Sequence, residues 1–546
     1  MSIVTEDTTR QFMPNTTVTR ADTTTTGSRI RKKRSPEDYA RAISAHASLG
    51  KETSLFPGSN YRHLVQYLTG SLSLKQPIQR TDADGRTFHG VIVHDLALRM
   101  EDGSGYTEYD GCTDTEQLAQ HAKPRNEQGQ IIFVRGYPPP QLVKLIGARY
   151  RLDPELFRIH LAFGPTKDFF DIPVLPSSSE NLVKLRITSI GRCSSTTADQ
   201  YEGKDACYKH FQSLGSAGLA GESIVRNFAR HDEEHFTIDQ QISISVVRKA
   251  GGWVAIVLLD NGRDLDQGTA GPWFKQYKLI QEMFLPVLQI IPNVALESTN
   301  VGSPESHLMR PRATAQSGAL LPRQQYALNL AREAMNVDAF YSLHHLFQFS
   351  AAAESQFLNM MRSKIETEFT KFQIRNDTYL ERSLETFRRH RMILEDHLEY
   401  IQGATTTILD RGSVEWPKAT PEAHQQVVEK AALRLETDFK MLHQLASMLI
   451  KRCEDGIEDA RSSFMIAESR RTTESARGVT RLTLLAFLFV PVSFTSTFFG
   501  MNFPELGQGS LHIWAWFAFS VPVFILALVV CFWGPILRRF KHVPRV

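Results

Sequence analysis

The sequence predicts an α+β domain, a mixed sheet flanked by helices. Long helices follow it, then a stalk helix continuous with a first membrane helix, and a two-helix hairpin that makes the membrane part all-helical. Three observations carry this prediction. Between Leu55 and Asn300, short apolar runs alternate with helical periods. From Glu422 onward no proline interrupts the chain until Pro491. Leu482–Phe499 and Ile513–Leu537 are uncharged apolar runs of about 18 and about 25 residues; a hydrocarbon core needs roughly 20 helical residues.

Residues 1–52 are rich in Thr, Ser and charge and lack an apolar period, so they read as a disordered tail. Glu6 and Asp7 argue against a transit peptide. The basic run Arg31-Lys32-Lys33-Arg34 reads either as solvated chain or as a contact for anionic lipid. Residues 53–310 read as a soluble α/β domain. In it Gln130–Arg135 suits a buried strand, and Leu142, Val143, Leu145, Ile146 and Tyr150 mark the helix after it. Asp153 is a candidate N-cap, with Pro154 in the first turn. Leu182–Ile190 and Ile238–Val247 alternate like strands, and Gly251-Gly252 turns the chain into a last strand.

Composition excludes several functions. The chain has 546 residues, and 62 basic against 59 acidic side chains leave a net charge of +3. No global field draws nucleic acid, so no nucleic-acid partner is expected. The five cysteines form no CxxC pair and read as free thiols in a reducing compartment. The sequons at Asn15 and Asn376 fall on the side read as internal and count as chance matches. Gly215, Gly218 and Gly221 lack the Lys-Ser/Thr or GxGxxG pattern of a phosphate loop, and read as a loop or tight packing. His344-His345 reads as packing, since neighbours in sequence do not share a helix face. No nucleophile elbow, HExxH or Cys/His metal spacing is present. No enzymatic activity and no cofactor are therefore expected.

Pro292–Pro322 reads as a linker, and residues 311–417 as linker plus helical hairpin, with helices over Gln324–Lys371 and Tyr379–Gln402 and a turn over Gly403–Pro417. Residues 418–481 are the stalk, starting at Thr420-Pro421-Glu422. Val428, Ala431, Leu435, Phe439, Leu442, Ala446, Leu449, Cys453, Ile457, Ala460, Phe464 and Ala467 recur at steps of three or four. A coiled-coil-like seam of that length needs partners, either the preceding helices or copies of the same helix.

The membrane part reads as a first helix over 482–500, an external turn over 501–512 and a second helix over 513–537, with a basic tail over 538–546. Arg470, Arg471, Arg477 and Arg481 precede it, Arg538, Arg539, Lys541 and Arg545 follow it, and the turn has no basic residue. This charge bias puts both termini on the cytoplasmic or matrix side, and the plasma membrane is expected over the mitochondrial inner membrane. Val479, Leu482, Ala486, Val490, Ser493, Thr497 and Gly500 continue the three-and-four spacing on one face, which suits either a pore lining or helix packing by small residues.

Gly500-Met501-Asn502 closes the first membrane helix, followed by Phe503. At this place the chain resembles the CorA-type divalent-cation channels, whose signature is Gly-Met-Asn. The likeness extends back through Leu482-Thr483, Ala486, Phe489, Pro491, Phe494 and Phe499. The strand–helix–(Asp-Pro)–helix order near residue 150 also resembles the family's early soluble domain. The resemblance implies a homo-oligomeric magnesium channel, most simply a pentamer around a five-fold axis, with the first membrane helix lining the pore. It implies Gly500, Met501 and Asn502 as selectivity filter, and Glu505 as external acidic ring. Here Pro504-Glu505 follows Phe503 directly, whereas the family commonly has two residues and a Met before Pro-Glu. Glu454, Asp455, Glu458 and Asp459 form like-charge i, i+4 pairs, which a bound divalent cation would relieve. They read either as a regulatory magnesium site or as a solvated acidic face answered by Lys451 and Arg452. Two other functions stay open, a transporter of zinc or another divalent cation in the same superfamily, and a membrane-anchored sensor or scaffold.

Overall fold

The protein is represented by a computed structural model that describes residues 34–49, 58–70, 82, 86–97, 105–125, 127–162, 175, 179–192, 203–217, 219–249, 251–265, 268–269, 271–273, 284–288, 316–323, 326–327, 330–373, 377–420, 422–500 and 512–541. Its centre is a sheet of strands β1 (Val91–Asp95), β2 (Tyr106–Tyr109), β3 (Gly129–Arg135), β4 (Leu182–Arg192), β5 (Asn227–Arg230), β6 (His235–Lys249) and β7 (Gly252–Leu259). The order is β2-β1-β3-β7-β6-β4, with β5 paired to β6. β3 and β7 run parallel, with Ile132 opposite Ile256, and the other pairs are antiparallel. β3 and β7 are buried throughout. They read as unbroken apolar runs because both sheet faces are covered. Ile131 and Phe133 enter the core on one face, and Ile132 and Val134 enter the core on the other.

One face carries α1 (Pro36–Ala47), α2 (Arg62–Thr69), α4 (Pro140–Tyr150) and α5 (Pro154–Leu161). α3 (Thr115–Gln120) and α6 (Lys204–Ala217) complete the domain. α1 corrects the expectation of a tail over 1–52. Ser35 and Asp38 form a capping box, Pro36 occupies the first turn, and Tyr39, Ala40 and Ile43 are buried. Gly147 makes this crossing possible, because a Cβ there would lie 2.2 Å from the Tyr39 ring. The Tyr39 hydroxyl donates to the Leu152 carbonyl at 3.2 Å. The Asp153 carboxylate accepts from the Glu155 amide at 2.9 Å and caps α5. Of the glycines near residue 220, Gly221 has φ +79° and backs onto Phe88, so its role is close packing.

The other face carries the helices that lead to the C-terminus. These are α7 (Ser317–Leu320), α8 (Arg332–Val337), α9 (Ala339–Ser342), α10 (His344–Gln373), α11 (Asp377–Asp410), α12 (Glu422–Gly500) and α13 (Trp514–Lys541). The stretch expected to be a linker packs onto the sheet domain over residues 316–323. Gln316, Ala319, Leu321 and Arg323 are buried there, and the Arg323 guanidinium meets Asp82 at 3.1 Å and Glu108 at 2.7 Å. The helix expected over Gln324–Lys371 begins only at His344, because Asp338 caps a separate short turn through the Tyr341 amide at 2.7 Å. α11 runs through Gly403, where the expected turn began, and the chain reverses at Arg411 and Gly412, both at positive φ. A single glycine costs a helix only about 1 kcal/mol, which packing overrides.

α12 is 79 residues long. Val428, Ala432, Leu435, Phe439, Leu442, Ala446, Leu449, Cys453, Ile457 and Ala460 are buried, and α12 packs on α10 and α11. The seam's partners down to Ala460 are thus the preceding helices of the same chain, and Ala432 takes the place expected for Ala431. Phe464 is 54% exposed, so intrachain cover ends one turn beyond Ala460.

Candidate ion pathway and its supporting helices

The end of α12 is apolar and uncharged because Leu482–Phe499 carries no ionisable side chain. Among the described residues α12 is the helix long and apolar enough to cross a membrane, and the apolar Trp514–Val530 stretch of α13 is shorter. α13 packs along this end of α12. Leu484, Leu488 and Val492 are half-buried and Thr495 and Phe499 are buried on one face. The Ser520 hydroxyl of α13 donates to the Thr495 hydroxyl at 2.8 Å, and Thr495 donates to the Val492 carbonyl at 3.0 Å. The Phe499 and Phe519 rings lie 5.6 Å apart.

The opposite face carries the candidate pore residues. Val479, Leu482, Ala486, Val490, Ser493 and Thr497 are all exposed, and the chain's own second helix covers the other side. The Thr497 hydroxyl donates to the Ser493 carbonyl at 2.8 Å, so its donor is used along the helix and its oxygen keeps the capacity to accept. Ala486 and Val490 also border an apolar groove of about 540 Å³ between α12 and α13. Gly500 is the last residue of α12. Met501, Asn502 and Glu505, with the rest of the expected external turn up to residue 511, lie outside the described residues.

Glu454, Asp455, Glu458 and Asp459 stand exposed on α12. Arg391 of α11 is 3.6 Å from Glu454. Arg452 does not answer this face as expected. Its guanidinium pairs with Glu366 of α10 at 3.3 Å and lies 3.9 Å from the centre of the Phe369 ring. Among the described residues, no group of three or more His, Cys, Asp or Glu side chains is placed to hold a metal ion.

The sheet–helix boundary holds a buried polar network that sequence reasoning missed. His397 of α11 places Nδ1 2.7 Å from Glu354 of α10 and Nε2 4.0 Å from Asp239 of β6. Asp239 accepts from Arg186 at 2.6 Å, Thr188 at 2.9 Å and Asn227 at 3.0 Å. Burial opposes the Asp239 carboxylate, but Arg186, His397 and these hydrogen bonds outweigh it and hold its pKa at about 2. The His397 ring stacks on Phe357 at 3.8 Å. The available signal was polar residues at inward positions of β4 and β6, at Arg186 and Asp239. The partners came from helices about 115 and 160 residues further on, which no local pattern reveals.

The family model described as CorA-like Mg2+ transporter protein matches residues 342–541. No curated protein matches the chain. The complete structure of the CorA magnesium transporter from Methanocaldococcus jannaschii is similar at 12% identity, covering 66% of this chain and 99% of that one, with a TM-score of 0.27; so low a score carries no weight. Over residues 342–541, from the end of α9 through α13, the chain is therefore similar to the CorA-like Mg2+ transporter family.

Proposed function

We propose that the chain is a homo-oligomeric magnesium channel, most simply a pentamer, with α12 lining the pore. The observation that carries this reading is the face from Val479 to Thr497. It is exposed, and it lies opposite the face that packs on α13. Two membrane helices per chain cannot enclose a pore, whereas copies of α12 around an axis can. The face is aliphatic at Val479 and Leu482 and hydroxyl-bearing at Ser493 and Thr497. The aliphatic rings form a neck that gates by dewetting. Ser493 is a station for a hydrated ion.

Magnesium dehydrates reluctantly and prefers octahedral oxygen. A ring of Asn502 amide oxygens at the outer mouth holds its water shell without the tight binding that carboxylates would impose. Glu505 raises the local cation concentration there. Both termini lie on the cytoplasmic side, and α13 returns the chain through the membrane. The carboxylates at 454, 455, 458 and 459 do not converge within one chain, so a regulatory cation there is shared between neighbouring copies. An anchor-only role leaves the exposed face without a purpose.

The test is flux from liposomes containing the purified full-length protein, with magnesium, zinc and cobalt supplied in turn. Magnesium flux above that of the other two supports the reading. Zinc flux with none for magnesium assigns the chain to the other ion, and no flux of any cation reduces it to an anchor.

A further inference from the structure

We infer that Thr495 and Ser520 are positioning residues of the proposed channel: their hydrogen bond fixes the rotation of α12 about its own axis, so that Ser493 and Thr497 face the pore. This rests on the reading of α12 as the pore-lining helix. The Ser520 hydroxyl of α13 donates to the Thr495 hydroxyl at 2.8 Å. Thr495 gives its own hydrogen to the Val492 carbonyl at 3.0 Å, so its oxygen can only accept and Ser520 must donate. Both residues are buried, whereas Phe494, Phe498, Phe517 and Val521 beside them are exposed.

Thr495 is a hydroxyl residue that the pore stripe passes by. It shares its face with Leu484, Leu488 and Phe499. At 3.6 residues per turn it stands roughly 160° around the helix from both Ser493 and Thr497, and roughly 140–180° from Val479, Leu482, Ala486 and Val490. The bond is thus opposite the whole candidate pore face. The contact around it is apolar, with the Phe499 and Phe519 rings 5.6 Å apart. In hydrocarbon an apolar contact can exchange one set of van der Waals neighbours for another as α12 turns. A hydrogen bond between two short side chains cannot follow. Turning α12 by about 40° moves each Cα about 1.6 Å and the side-chain tips farther. That breaks the bond and carries Ser493 and Thr497 off the axis together. One such bond within a membrane favours its geometry by about threefold. Copies closed into a ring turn together, so in the proposed pentamer the bias multiplies to about two hundredfold.

The experiment loads full-length protein into liposomes, measures magnesium and cobalt flux, and reads their ratio, with the oligomer checked by the mass of the intact complex. Thr495→Val keeps the branched shape and removes the acceptor; it is expected to change the magnesium-to-cobalt ratio several-fold with the oligomer intact. Thr495→Ser keeps the acceptor and should keep the wild-type ratio. Ser520→Ala should match Thr495→Val, and the double variant should go no further than either single, because the same bond is lost in all three. An unchanged ratio in Thr495→Val overturns the proposal. So does a Thr495→Ser protein that shifts as far as Thr495→Val, or a double variant that shifts by the product of the two singles. If Thr495→Val and Ser520→Ala both lose the oligomer, the proposal also falls, since the pair then holds the helices together rather than orienting them. Failure of the channel reading shows separately, as wild-type liposomes that carry neither cation.

Discussion

At Asn502 an uncharged amide oxygen would meet the water shell of an entering cation. Asn502→Ala removes that acceptor from every copy at once, so magnesium flux should fall to near background while expression and assembly persist, because a turn residue near water adds little to stability. Asn502→Asp keeps an oxygen but adds negative charge, which should hold divalent cations longer and slow their exit. Flux at matched membrane levels decides this, and wild-type flux through the Ala protein would remove Asn502 from the filter. Asp239 is a residue of another kind. It is buried against Arg186, and Asp239→Ala leaves that guanidinium uncompensated, so the protein should lose about 3–5 kcal/mol in denaturant unfolding. Pairing it with Arg186→Met should recover most of the loss. A double variant as unstable as the single would mean that the ion pair is not the reason. Sequence marked Asn502 because a signature concentrates in adjacent residues. It could not mark Asp239, whose meaning depends on His397 and Glu354 arriving from two helices far along the chain.

Elements were legible where their signals are local. Asp153 with Pro154 announces α5, and the proline-free stretch from Glu422 to Pro491 announces the length of α12. α1 was not legible, since a single turn of apolar contacts, Tyr39 to Ile43, follows a polar flank of low complexity. What holds α1 is tertiary, the approach of Tyr39 to Gly147. Gly147→Val should push the Tyr39 ring out, lower stability by about 1–3 kcal/mol, and open residues 36–47 to limited proteolysis. Unchanged proteolysis would show that α1 is held by other contacts. The acidic face of α12 makes a weaker element. If neighbouring copies share a regulatory cation there, neutral amides at Glu454, Asp455, Glu458 and Asp459 should make flux less sensitive to internal magnesium. Unchanged inhibition would leave the four as a solvated face.

The sheet domain and the helices packed on it carry a pH dependence set by histidines buried in neutral form. Burial depresses His94, His344 and His345 to about 4 and His390 to about 3, and pushes His160 and His231 well below the ordinary value of 6.5. The unfolded chain binds these protons near pH 6.5 and the folded chain does not, so stability is full above that pH and falls as pH drops below it. At pH 5.5 each such histidine costs about 1 kcal/mol, and several together cost a few kcal/mol out of a typical 5–15. Asp232 and Asp239, at about 2 when folded, lose their contribution only below about pH 4 and so do not explain a change near pH 6. Asp260 and Asp338 are raised by burial and work in the opposite sense to the histidines. His390 isolates the effect, because both its ring nitrogens are buried without a hydrogen-bond partner. His390→Leu should cost little at pH 7.5, since no hydrogen bond is lost. It should also reduce the stability difference between pH 7.5 and pH 5.5 by about 1 kcal/mol. Denaturant midpoints at the two pH values measure this directly. A variant that keeps the full wild-type difference would mean that His390 is not among the groups that take up protons on unfolding.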